Sequence, residues 1–169
     1  MTAIDSTYDP LAWGSHLPPL FACLAASSGP VLEVGVGHFS TPILHAYCMA
    51  AYRNLFSVED HAEWYSEFRT KYQRSGHEFI TGDYSVVVPE MAKLKWGVAF
   101  IDNSPGGKRR ADDFTSLISS ADFVVVHDYH GENEEAIQPL ITVGHILWKV
   151  FGDYSPPTLV ASRHKTPPF

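Results

Sequence analysis

Basic residues, cysteines and long apolar runs are all scarce in this chain, and each scarcity excludes something. Lysine and arginine number 12 against 19 aspartates and glutamates, a formal charge of −7. So acidic a chain lacks the electrostatic footprint for passive binding to nucleic acid or to an anionic membrane. Its one basic cluster, Lys108-Arg109-Arg110, runs straight into Asp112 and Asp113. The cluster would suit an anionic acceptor, but a solvated first helical turn is the simpler account. Cys23 and Cys48 show no metal-type spacing and build no disulfide framework, which points to a reducing compartment. The apolar stretch Leu17–Ala26 is too short for a membrane span and contains Pro18 and Pro19. Met1–Pro10 is polar and lacks the basic-then-apolar order of a signal peptide. The expectation is a cytoplasmic protein with no membrane partner.

What is present is enough apolar material for a core, 45% of 169 residues, read as one domain over residues 1–169. Short β-type runs alternate with helical stretches. Strands are expected at Val31–Val34, Leu55–Val58, Glu78–Ile80, Trp96–Ile101 and Asp122–Val126. Helical spacing falls between them at Thr41–Arg53, His61–Arg74, Val88–Lys93 and Asp112–Ser120, and after them at Glu134–Val143. Near-continuous apolar strands are buried on both faces, and strands separated by helices form a parallel sheet. The chain ends differently. Ile146–Tyr154 and Thr158–Arg163 are joined only through Ser155-Pro156-Pro157, too short for a crossover, so the sheet should finish on an antiparallel strand. The fold class is α/β, a Rossmann-like doubly wound sheet with helices on both faces.

Glu33-Val34-Gly35-Val36-Gly37-His38-Phe39-Ser40-Thr41 lies where the first strand gives way to a helix. Glycine there allows a sharp turn and close approach of a ligand to the main chain, and the helix beginning at Ser40-Thr41 presents free amides. Glu59, 22 residues beyond Gly37, stands at the tip of the second strand, placed to accept both hydroxyls of a ribose. Together these indicate an adenosine-type cofactor. A nicotinamide fingerprint needs a third glycine where Ser40 stands, and a carboxylate at Glu33 would repel a pyrophosphate. Beside a cationic sulfonium it is attractive.

The loop from Glu33 to Thr41 resembles the first motif of class I S-adenosylmethionine-dependent methyltransferases. Val58-Glu59-Asp60-His61 with Trp64 is similar to their second motif, Gly82-Asp83 to their third and Phe100-Ile101-Asp102-Asn103 to their fourth. The resemblance covers about residues 12 to 164. It implies that Glu33 and the Gly35–Gly37 backbone contact the methionine part of S-adenosylmethionine, with Ser40 and Thr41 in the same motif. Glu59 would hold the ribose, Asp60 flank the adenine, and Asp83 and Tyr84 accept from it or pack on it. Asp102 would face the methyl group and the acceptor. Asp102-Asn103-Ser104-Pro105 departs from the pattern of amino-group methylating enzymes, against a DNA-amino methylase.

Candidate catalytic groups at the strand ends are Asp102, His127, Asp128 and His130. Val124-Val125-Val126-His127-Asp128-Tyr129, paired with Asp102, is similar to the metal-binding strand ends of catechol-type O-methyltransferases. That implies Asp102 and Asp128 as ligands of a divalent cation such as Mg²⁺. Tyr129 departs from it, standing where a further oxygen ligand would follow, and His130 as a substitute would favour a softer metal. Trp13, Gly14, Ser15 and His16 lie where such enzymes close over the cofactor, and Trp13 serves equally as a packing anchor. The stripe Trp64, Tyr65, Phe68 reads as core.

The expected activity is methyl transfer from S-adenosylmethionine, to oxygen of a small or sugar-like acceptor. Two alternatives stay open: a non-catalytic S-adenosylmethionine-binding protein of the same fold, and a nicotinamide-dependent oxidoreductase. No inserted cap is evident, which leaves room for a homodimer to cover the pocket.

Overall fold

In the computed structural model, which describes residues 14–169, strand order follows from where each apolar run sits between its helices. Along the chain come α1 (Leu17–Ala25), β1 (Val31–Val34), α2 (Ser40–Ala50), β2 (Leu55–Glu59), α3 (Ala62–Tyr72) and β3 (His77–Thr81). They are followed by α4 (Tyr84–Met91), β4 (Trp96–Ile101), α5 (Lys108–Leu117), β5 (Ala121–Val126), α6 (Glu132–Val143), β6 (Leu147–Phe151) and β7 (Thr158–Ser162). The sheet runs β3-β2-β1-β4-β5-β7-β6, parallel from β3 to β5. It closes with β7 antiparallel to both β5 and β6. The expected Rossmann-like doubly wound sheet with its antiparallel end is what the chain forms. No helix among the described residues is long and apolar enough to cross a membrane. Trp13 lies outside the described residues.

Both faces of the sheet are covered because successive side chains of each strand point to opposite sides. From β4, Ala99 and Ile101 join Val88, Phe114, Leu117 and Ile137 on one side. Val98 and Phe100 join Leu20, Leu24, Leu44 and Cys48 on the other. The prolines of Leu17–Ala26 do not interrupt α1: they fall in its first turn, where amides have no helical partner to lose.

Two helices begin a full turn earlier than their apolar spacing predicts. The helix expected from Val88 starts at Tyr84, because Asp83 caps it: the Asp83 carboxylate accepts from the Ser85 amide at 2.7 Å, and Pro89 is carried inside. The helix expected from Asp112 starts at Lys108, with Gly107 as its N-cap in the left-handed region. The basic run is therefore its first turn, and Lys108 and Arg109 find partners at i+4 in Asp112 and Asp113.

The switch in strand order between β1 and β4 opens the crevice where open α/β sheets bind ligands. Gly35 makes the turn out of β1 there. Its φ is +91°, and a Cβ would lie 2.7 Å from the Asn103 backbone at the tip of β4. At Gly37 a Cβ would meet only the Ser40 hydroxyl, at 3.3 Å. We predict that Gly35→Ala destabilises by about 2 kcal/mol or more and Gly37→Ala by less than about 1 kcal/mol, measured by urea unfolding. Equal losses would show that the crossing of Gly35 over β4 is not a tight one.

Candidate active site

The tips of β1, β2, β4 and β5 surround a cavity of about 960 Å³. One end of it is built by the glycine turn and by the end of β2. Glu59 is buried yet lines the cavity, and its two oxygens are aimed by backbone amides, Oε2 accepting from Val36 at 3.0 Å and Oε1 from His61 at 2.9 Å. Each oxygen keeps a second lone pair for a ligand. Gly37, Ser40 and Asp60 share this wall, as does Tyr84, whose hydroxyl is held above its ordinary range by burial and by the nearby Glu59 and Asp60 carboxylates. Trp64 also lines the cavity, while Phe68 behind it is core, so the aromatic stripe is divided between the two.

Four residues of the expected cofactor set stand outside the cavity wall. Asp83 is exposed and engaged in capping α4. Gly35 is packed against β4. Glu33 and Thr41 lie beneath the loop, fully buried: Thr41 Oγ1 donates to Glu33 Oε1 at 2.9 Å and accepts from the Gly37 amide at 2.9 Å. Ser57 Oγ donates to Glu33 Oε2 at 2.5 Å. Glu33 therefore acts on the cavity through the loop it fixes. Direct attraction of a sulfonium, the role suggested by its place in the motif, is not what this burial provides.

At the other end, Asp102 and His127 sit at the tips of β4 and β5, with Asp128 next to His127 at a φ of +53°. All three line the cavity, whereas His130 lies in a separate shallow hollow. Tyr129 is turned into the core, its hydroxyl donating to Gln138. His16, from the segment before α1, packs edge-on against the His127 ring with centroids 4.5 Å apart and lines the same wall.

The residue that organises this end was not evident from the sequence. Arg110, 6% exposed, donates to the carbonyls of Asn103 and His127 at 2.8 and 2.7 Å and lies 3.0 Å from Asp102 Oδ1 and 3.5 Å from Asp128 Oδ2. The other two basic side chains of its cluster are paired with Asp112 and Asp113. The cluster is neither a solvated turn throughout nor a free anion site. Burial alone would raise the Asp102 pKa, but the neighbouring His127 and Arg110 outweigh it and hold the carboxyl below its usual range. The guanidinium also decides the fit of a metal between Asp102 and Asp128. It faces both carboxylates, where a divalent ion would have to bind, so this pair does not suit one.

No protein-family model and no curated protein matches this sequence. Solved structures do. Over 94% of this chain and 81% of the other, it is similar to an O-methyltransferase from Bacillus cereus in complex with SAH, at a TM-score of 0.68 and 13% identity. N-methyltransferase NodS from Bradyrhizobium japonicum matches 90% of this chain over 95% of its own, with a TM-score of 0.60 and 10% identity. Precorrin-6y C5,15-methyltransferase from Geobacter metallireducens matches at 0.62 and 10%, over 86% and 85%. The fold is that of class I S-adenosylmethionine-dependent methyltransferases. Identities this low establish the fold alone, and the three names span different acceptor atoms.

Burial pushes the Glu33 carboxyl up to about 7 from an ordinary 4.5, against the hydrogen bonds of Ser57, Ser40 and Thr41. An acid whose pKa is raised by folding favours the native state while protonated. Its cost is absent below pH 4.5, grows as pH rises through 4.5 to 7, and is constant above. Wild type should accordingly lose about 3 kcal/mol relative to Glu33→Gln between pH 4.5 and 7.5, measured by urea unfolding. A difference independent of pH would show that Glu33 is ionised in the fold throughout.

Proposed function

We propose that this protein binds S-adenosylmethionine and transfers its methyl group to oxygen of a small or sugar-like acceptor. The observation that carries the reading is Glu59: a buried carboxylate, oriented by two amides, beside the glycine turn in the crevice of a methyltransferase fold. The ribose hydroxyls would donate to Glu59, with Asp60 and Tyr84 beside the adenine and the Gly37 turn under the methionine portion. This arrangement directs the sulfonium toward Asp102, His127 and Asp128. Oxygen as the acceptor atom rests on the Asp102 and Asp128 carboxylates that line this end of the cavity.

The chemistry asked of these residues is mainly positioning, since sulfur already activates the methyl carbon. The acceptor oxygen attacks that carbon, a C–O bond forms, and the C–S bond breaks with its electron pair going to sulfur. The hydroxyl proton leaves toward Asp102, whose carboxylate is kept ionised by Arg110 and His127. Asp128 fixes the other side of the guanidinium. The acidic balance of the chain supports a small-molecule acceptor over nucleic acid.

Calorimetry tests the cofactor half directly. S-Adenosylmethionine should bind at one equivalent and NAD⁺ should release no heat. Glu59→Ala should weaken binding about 10- to 100-fold, the effect of losing hydrogen bonds to a charged acceptor. Silence with S-adenosylmethionine, or an unaltered affinity in Glu59→Ala, would remove the basis for this function.

A further inference from the structure

Hydrogen-bond accounting around His127 leaves lone pairs facing one another. Ser15 Oγ donates its only hydrogen to the Pro156 carbonyl at 2.7 Å, so at its 3.0 Å contact with His127 Nε2 it must accept. In the neutral form of His127 this fixes the proton on Nε2, and Nδ1 presents a lone pair. That lone pair lies 3.2 Å from Asp102 Oδ1, itself an acceptor, and Nδ1 has no hydrogen-bond partner. Beside it His16 is 1% exposed, and neither of its ring nitrogens has a hydrogen-bond partner. An imidazole nitrogen, a second imidazole nitrogen and a carboxylate oxygen lie within 4.8 Å of one another on the cavity wall. Buried polar atoms without partners are expensive, and imidazole nitrogens of His16 and His127 that lack them and converge on a carboxylate call for a cation.

We infer that His16, Asp102 and His127 form a binding site for one divalent transition-metal ion, with its remaining positions open to the cavity. This is not the Asp102–Asp128 arrangement, whose shared space Arg110 fills. Ligand bonds of about 2.1 Å place neighbouring donors about 3.4 Å apart in a tetrahedral site, so small side-chain rotations would close the set. Two imidazoles favour a borderline ion such as Zn²⁺, Co²⁺, Ni²⁺ or Fe²⁺ over Mg²⁺. The Nε2–H of His127 bonded to Ser15 supplies the outer hydrogen bond that metal-bound histidines use to fix their tautomer. Charge also permits entry: Asp102 and Asp128 outweigh Arg110 by one negative charge, and both histidines are neutral donors when they ligate. An ion here would take an acceptor's hydroxyl oxygen as a ligand and ease loss of its proton, deepening the proposed O-methylation without depending on it.

The test is titration of untagged, chelator-stripped full-length protein with Co²⁺ in the absence of nucleoside, followed by visible absorption and calorimetry. One equivalent should bind with ligand-field bands that Zn²⁺ abolishes. His16→Ala and the near-isosteric Asp102→Asn should each weaken binding at least about tenfold, with circular dichroism confirming the fold, while His45→Ala, which alters the other close histidine pair, should leave it unchanged. Absence of stoichiometric Co²⁺ binding to wild type overturns the site, since it would mean that a proton on His127 alone separates the facing lone pairs. Binding lost in His45→Ala but kept in His16→Ala overturns it as well. Because no nucleoside is present, either failure is separate from failure to bind S-adenosylmethionine.

Discussion

A carboxylate shut away from water holds the glycine loop in shape. Glu33 sits in the middle of β1, level with Ser57 on β2 and Phe100 on β4, and has no route to solvent. One of its oxygens is taken by Thr41 at the start of α2 and the other by Ser57. Thr41 then accepts the Gly37 amide, so one buried group joins two strands, a helix and the glycine turn. Burying an acid is costly, and the cost is reduced here by hydroxyl donors on both sides. The rest of this cavity wall follows from the brace: with Gly37 fixed and Gly35 pressed onto β4, the Val36 amide points at Glu59.

The acceptor end rests on a different principle. Three loops meet there, and Arg110 ties two of them by donating to main-chain carbonyls of both while compensating Asp102 and Asp128. A buried guanidinium with so many partners is a structural element first, and its removal would leave two carboxylates unbalanced on the cavity wall. The class I fold carries O-, N- and C5,15-methyltransferases among the solved structures similar to this chain, so the fold by itself does not set an acceptor.

Much of this was legible in the sequence, for physical reasons. Strands buried on both faces have no polar alternation to obscure them, which made β4 and β5 visible to the residue or nearly so, and Ser155-Pro156-Pro157 is too short to be anything but a turn between β6 and β7. Helix starts were less legible, because α4 and α5 are set by an Asp83 cap and a Gly107 turn rather than by apolar spacing. The place of Glu59 at the tip of β2 was legible because strand, glycine turn and acid follow one another at a set distance. Glu33 was located correctly, but its orientation was not encoded locally: only the pairing of β1 with β2 reveals that Ser57 waits beside it. The signal for Arg110 was present. Lys108 and Arg109 each have an aspartate four residues on, whereas Arg110 has Phe114, so its partner had to be distant. His16 carried no such mark, since its convergence with Asp102 and His127 exists only once the segment before α1 folds over the sheet.

A crystal structure with S-adenosylhomocysteine tests the central claim most directly. Both ribose hydroxyls should lie within hydrogen-bonding distance of the Glu59 carboxylate, the homocysteine portion over the Gly37 turn, and the sulfur facing Asp102 and His127. A nucleoside bound elsewhere, or one that leaves Glu59 without a contact, would contradict the account.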